Sequence, residues 1–321
     1  MSHRDNLIKI NKELSKPMDL MNVGFVGVVG SAGGVKVTQN NAQSTYTDSG
    51  KTYYKYTQGG TITFNGDGDV KLMLIGGGAS GCVKYYGGGS GAGGMYYDDV
   101  TITSQQYTIT VGGSNTDSTA LGKTAIKGGR GQNIYNSGTQ GGCGGGAKYG
   151  DGTSSNANCA DEQQSGSASG GIGFDGGNGT ANPTLDYAHS GGGGGLGQIG
   201  GDGTSSNPYG QCSASNVIGS GGNGRTNAQL DNILTITSSG VGGYIGGGGG
   251  AARMFWNTGS GGQGGLGGGG ASGLTSGSCG SGSEGSSGVS GTSYTGSGAG
   301  AAGRAPSNGT GGSGICIIVV G

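Results

Sequence analysis

Alternation of apolar and polar residues is confined to the first part of the chain and its last few residues. Thr61–Phe64, Val70–Ile75, Met95–Thr103, Gln106–Val111 and Ala120–Lys127 each join β-branched or aromatic residues to flanking turn residues, which predicts strands. Upstream, Val23–Val29 and Val35–Thr38 predict two more, and Tyr46–Thr57 (YTDSGKTYYKYT) predicts a hairpin. Asp5 as a cap and the stripe Leu7, Ile8, Ile10, Leu14 predict a short helix that Pro17 stops. Such a helix is marginal without a partner, so it reads either as an attachment peg or as a frayed end. After Gly128 the strand signal vanishes until Leu230–Thr237 and the closing run Ile315–Val320, ICIIVV. That run is too short for a helix and too apolar for an edge, which predicts a central strand closing the chain back on its start.

Between these strands the chain is glycine-rich: 88 of its 321 residues are glycine, about four times the usual share of roughly 7%. The stretch Gly246–Gly273 carries the only tryptophan, and from Gly261 a glycine recurs every third residue, at Gly264, Gly267, Gly270 and Gly273. Gly282, Gly285, Gly288 and Gly291 repeat the period. Three residues per turn is the period of the polyproline-II conformation, which makes no internal hydrogen bonds. Without a Cβ, such helices can approach until their amides bond one another. The reading is a stack of polyglycine-II helices with the other residues thrown out as loops. Collagen is excluded by the broken period and by a total of four prolines. A heptapeptide, GDGTSSN, occurs at Gly150–Asn156 and Gly201–Asn207, followed by Cys159 and Cys212, which suggests two equivalent arms.

Charge narrows the partners. A net charge of −1 speaks against nucleic acid, which calls for a basic patch. Val23–Val29 is too short to span a bilayer, and the polar start MSHRDNLIKINKELSKP does not read as a secretory signal. The expectation is a product of the cytoplasm with no membrane insertion. Cys82, Cys143, Cys159, Cys212, Cys279 and Cys316 form no CxxC pair, so zinc is not expected and buried thiols are preferred to disulfides.

Catalytic and cofactor motifs fail on inspection. Gly76-x-Gly78-x-x-Gly81 after the run KLMLI imitates a dinucleotide fingerprint, but CVKYYGGGSGAGG cannot form the helix that must follow it. Gly122-Lys123-Thr124 imitates the end of a P-loop without its first glycine, Asp117 standing there instead. Asp186 and His189 could pair, yet no nucleophile has a strand-turn-helix to sit on. Asp151 and Asp202, one carboxylate per GDG loop, are too few for calcium. No catalytic residue, metal or cofactor is expected.

The loops that interrupt glycine runs carry the chemistry of contact. Ala251–Thr258 gathers Arg253, Met254, Phe255 and Trp256; Thr180–Ser190 offers Tyr187 and His189; Asn207–Ile218 offers Tyr209. Aromatic residues and arginine concentrate at binding hot spots. Phe255 and Trp256 could equally fold back as a plug over the glycine stack.

The series TITFNGDGDVKLMLIGGGASG, GGGSGAGGMYYDDVTIT, QQYTITVGGS, TALGKTAIKGG and the close GTGGSGICIIVV resembles the glycine-rich domain of bacteriophage tail-fibre and related virion proteins, from about Thr61 to Val320. The resemblance implies a polyglycine-II sandwich whose tip loops touch a host-surface receptor, and no catalytic residues. The N-terminal 58 residues lie outside it.

The expected architecture is therefore mainly β with polyglycine-II helices and almost no α-helix. It comprises an N-terminal attachment region (1–58), a β-rich module (59–128) closed by 315–320, and a glycine-rich polyglycine-II module (129–314). The expected role is a virion structural protein of the tail-fibre or adhesin type. It would bind a host glycan or outer protein through its loops and other virion proteins through its N-terminal region; a trimer suits a fibre and a monomer a tip adhesin. The rival roles are an architectural capsid or tail decoration, an ice-binding protein and a matrix glycine-rich protein.

Overall fold

The computed structural model describes residues 34–82, 87–132, 140–148, 172–182, 187–203, 218–252, 261–273, 286–302 and 307–321. The chain divides into two compact units, Met1–Gly34 and Val35–Gly321. The helix expected before Pro17 and the strand Val23–Val29 lie in the first, outside the described residues. Among the described residues the second is mainly β with almost no helix: five sheets, 4% helical.

Two antiparallel sheets form its base. The strands are β1 (Lys36–Asn40), β2 (Ser44–Asp48), β3 (Lys51–Tyr56), β4 (Gly60–Asn65), β5 (Gly68–Ile75), β6 (Met95–Ile102) and β7 (Gln106–Ile109). β8 (Ser118–Ala120), β9 (Lys123–Ala125), β10 (Thr180–Asn182), β11 (Tyr187–His189), β12 (Arg225–Thr226), β13 (Tyr244–Ile245) and β14 (Ile315–Val320) complete the set. The larger sheet runs β2-β3-β14-β5-β6, the smaller β1-β4-β7. β14 is therefore central, pairing β3 on one side and β5 on the other. β1–β3, assigned above to the N-terminal region, hydrogen-bond into these same two sheets, so the division expected at residue 58 runs through the β core.

Period-two alternation explains why all six residues of β14 are buried. Cys316, Ile318 and Val320 face the smaller sheet, joining Tyr56, Ile62, Phe64, Leu72, Leu74 and Ile109 in one core. Ile315, Ile317 and Val319 face the other way and meet Met73, Ile75, Leu196, Leu230, Ile233 and Ile245. A strand covered on both faces has no polar side to spare, which is why ICIIVV lacks alternation.

Two strand assignments change. Ala120–Lys127 is a hairpin of β8 and β9, turning at Leu121 (φ 50°) and Gly122 (φ 73°). Leu230–Thr237 is no strand: a 3-10 turn, Asn227–Leu230, leads to one α-turn, α1 (Ile233–Ile236). Asp231 and Asn232 are left-handed, at φ 48° and 61°, which these two residue types tolerate. The buried Leu230, Ile233 and Leu234 stand three and four apart, the helical spacing. Thr226 and Gln229 cap the turn reciprocally, and Lys55 Nζ donates to Thr237 O and Ser238 O at the far end.

Glycine-rich segments make up most of the other described residues, and residues 87–94 show their rule. Gly88, Gly91 and Gly94 donate to the carbonyls of Gln132, Gly129 and Ile126; Gly89 and Ala92 to Gly191 and Gly194; Ser90 and Gly93 to Ala299 and Gly296. Carbonyls accept on the same period: Gly87 and Ser90 from Ala252 and Gly249, Gly89 and Ala92 from Gly146 and Cys143, Gly91 and Gly94 from Ala79 and Gly76. Every third residue thus meets the same neighbour, and six neighbours surround one segment. A strand, with period two, could serve only two.

Crowding, not backbone freedom, demands glycine here. A Cβ on Gly91 would lie 2.2 Å from the Cys143 carbonyl oxygen, and one on Gly249 1.9 Å from that of Ala299, although neither has a positive φ. The run Gly261–Gly273 corrects the expectation of one unbroken period. Residues 266–268 form a turn, with Gly267 and Gly268 both at φ +97°. Gly269 N and Ser272 N then bond back to Gly265 O and Gly262 O. The shared spacing joins two arms of a hairpin.

Gly249→Ala is expected to destabilise the protein by about 3 kcal/mol or more, the upper range of overpacking, and to lower Tm by roughly 10 °C. Gly113→Ala, whose Cβ would meet only Thr116 Oγ1 at 3.7 Å, should leave Tm within about 2 °C. Thermal melts of the pair test the rule; equal losses would refute it.

Candidate functional site

The glycine segments have two ends. At one, Gly76 follows β5, Gly94 precedes β6, Ile126 follows β9 and Gly314 precedes β14; Gly76 N bonds Gly94 O and Gly94 N bonds Ile126 O. At the other, the residues bracketing the candidate loops bond one another in a chain. Gly219 N donates to Ser190 O at 3.0 Å, Ala251 N to Gly219 O at 2.9 Å and Gly262 N to Ala251 O at 3.1 Å. Ala252 N donates to Gly87 O, Ala302 N to Cys82 O and Gly273 N to Ala301 O. The chain positions leading into 183–186, 204–217 and 253–260 therefore share one end, away from the sheets.

Arg253, Met254, Phe255, Trp256 and Tyr209 lie outside the described residues. Tyr187 is in β11, opposite Asn182. His189 is a correction. Expected in a projecting loop, it closes the base of the β10–β11 hairpin opposite Thr180 and is 1% exposed. A Cβ on Gly203 would stand 2.8 Å from His189 Cβ, so the 203 backbone packs directly on this residue, which offers no surface. Asp186, its suggested partner, is outside the described residues.

The motif look-alikes resolve into scaffold. The amides of Gly76, Gly78 and Gly81 are taken by the carbonyls of Gly94, Gly312 and Gly309, leaving none for a phosphate. Gly122-Lys123-Thr124 enters β9 from its hairpin turn. Asp202 Oδ1 accepts from Asn178 N at 2.6 Å, tying two segments together; the first GDGTSSN copy lies outside the described residues. Among the described residues no cluster of His, Cys, Asp or Glu could hold a metal ion, and no helix is long and apolar enough to cross a membrane.

Two clefts escaped the sequence reading. One, of about 310 Å³, is lined by Lys51, Tyr53, Asp69, Lys71, Asp99 and Asp231. Lys71 Nζ pairs with Asp99 at 3.1 Å and lies 5.1 Å from the centre of the Tyr97 ring, so this lysine is already engaged within the protein. The other, of about 250 Å³, contains Arg225 and Gln229. The signal for it was the spacing Thr226-x-x-Gln229, a capping box directly after an arginine in a nearly uncharged region. No known protein family, curated protein or solved structure matches the chain.

Cys82, Cys143 and Cys316 are buried, free thiols. Burial pushes Cys82 up to about 12, Arg130 offsetting part of the rise, and Cys143 to about 12; Cys316 is raised by the same cause. A thiol that holds its proton is a poor nucleophile. With Cys159, Cys212 and Cys279 changed to serine, a thiol reagent at pH 8 should label nothing in the native protein and all three remaining cysteines in denaturant. Rapid native labelling would contradict their burial.

Proposed function

We propose that the chain is a non-enzymatic virion protein of the tail-fibre or adhesin type, whose glycine segments are polyglycine-II helices and whose loops bind a host-surface receptor. Two observations support the helices: the three-residue hydrogen-bond period and the six neighbours around residues 87–94. Both follow from a threefold helix without internal bonds. One observation carries the function: the positions leading into the aromatic loops are hydrogen-bonded together at one end, opposite the β sheets. Loops held at a common end by a rigid scaffold are the usual arrangement of recognition surfaces. With His189 buried, the contact set narrows to Arg253, Met254, Phe255, Trp256, Tyr187 and Tyr209. The N-terminal region would join other virion proteins.

Labelled protein applied to bacterial host cells tests this reading. Loss of one hot-spot aromatic costs about 2 kcal/mol or more of binding, so Trp256→Ala should weaken attachment more than roughly tenfold. Its Tm should stay within a few degrees. A large fall in Tm with attachment kept would make Trp256 a plug of the scaffold. Wild-type protein that attaches to no host cell would favour an architectural capsid or tail decoration.

A further inference from the structure

The Arg225 cleft sits at the sheet end of the glycine segments, away from the loops, and is independent of the receptor reading. Ile172, Phe174 and Leu196 give it apolar walls, and Arg225 and Gln229 are its polar side chains. β12 fixes the Arg225 backbone against Ile245. Arg225 Nε is nevertheless buried without a hydrogen-bond partner. Among the described residues no carboxylate forms an ion pair with this guanidinium; Lys71–Asp99 is another pair. Asp231, the carboxylate of the same turn, accepts instead from the Tyr97 hydroxyl at 2.7 Å. Gln229 is oriented by its cap: Oε1 accepts from Thr226 N and Thr226 Oγ1, both at 3.0 Å. Its Nε2 is left as a donor.

A guanidinium Nε–H shut off from water without an acceptor is unfavourable, and the half-buried group that carries it lines an open cleft. We propose that this cleft binds a small acidic sugar, Arg225 holding the carboxylate and Gln229 Nε2 a hydroxyl. The guanidinium fork matches a carboxylate bidentately. A single positive charge balances a monoanion, whereas a phosphate dianion would bring a second negative charge into the cleft uncompensated. Pockets for drug-sized ligands run from about 300 to 1,000 Å³, so about 250 Å³ suits one ring. The apolar wall can cover the C–H face of that ring, and Gln229 has use for a hydroxyl that a purely hydrocarbon acid lacks.

Calorimetry on the full chain with glucuronate, glucose and cyclohexanecarboxylate tests the assignment. Glucuronate should bind at least about tenfold more tightly than either of the others and should raise Tm with concentration. Arg225→Gln should lose that binding at least about tenfold, with Tm unchanged or higher because the unpaired Nε is gone. Arg225→Lys should fall between, lacking the fork. Absence of both heat and Tm shift with glucuronate up to roughly 10 mM would overturn the proposal. So would unaltered affinity in Arg225→Gln, or cyclohexanecarboxylate binding as tightly as glucuronate. Should Arg225→Gln fail to fold, the three ligands on the wild-type chain decide.

Discussion

The contact on which everything else rests is a backbone amide of one glycine segment meeting a carbonyl of another with no Cβ between them. Ordering a residue costs about 1–2 kcal/mol in backbone entropy, more for glycine, and one hydrogen bond returns a net of about 0.5–1.5 kcal/mol. The lattice is therefore near balance and depends on its attachment to something better packed. That attachment is visible at Gly76, Gly94, Ile126 and Gly314, each next to a strand of the β core. Several lattice positions that carry a Cβ are small and buried: Ala79, Ser90, Ala92, Ala251 and Ala299.

The larger sheet serves two masters. One face of β14 packs against the smaller sheet and the other against the α1 turn and the first layer of glycine segments. The turn from Arg225 to Ile245 is thus a wedge between unlike architectures. It supplies Leu230, Ile233, Leu234 and Ile245 to cover apolar strands that glycine alone could not cover. Leu196 does the same from a neighbouring bend.

How much of this the sequence reveals depends on which physical rule governs each stretch. β3, β5, β6 and β14 are legible because alternation, or its loss under double burial, is a direct record of which faces are covered. The hairpin at Leu121-Gly122 and the turn at Asp231-Asn232 were hidden because left-handed residues other than glycine leave a weak trace. The spacing of Gly261, Gly264, Gly267, Gly270 and Gly273 misled for another reason: it cannot tell one long segment from two short ones joined by Gly267 and Gly268. The identities of the six neighbours of residues 87–94 are not written in those residues at all, since glycine carries no side chain to encode a partner. Of the candidate site, the loops stood out by composition, but the burial of His189 comes from its register opposite Thr180. The Arg225 cleft arises from segments far apart in the chain.

The position of β14 also sets the order of events at the ribosome. β3 and β5 do not pair with each other; the gap between them is filled by β14, made long after both. At about 5–20 residues per second, the nascent chain spends on the order of ten to fifty seconds with those two edges open after Ile75 emerges. Unpaired edges invite pairing with other chains, and contacts between distant residues form slowly. The larger sheet cannot close until β14 is made, so a chain cut before Ile315 would be left with its β core unsealed.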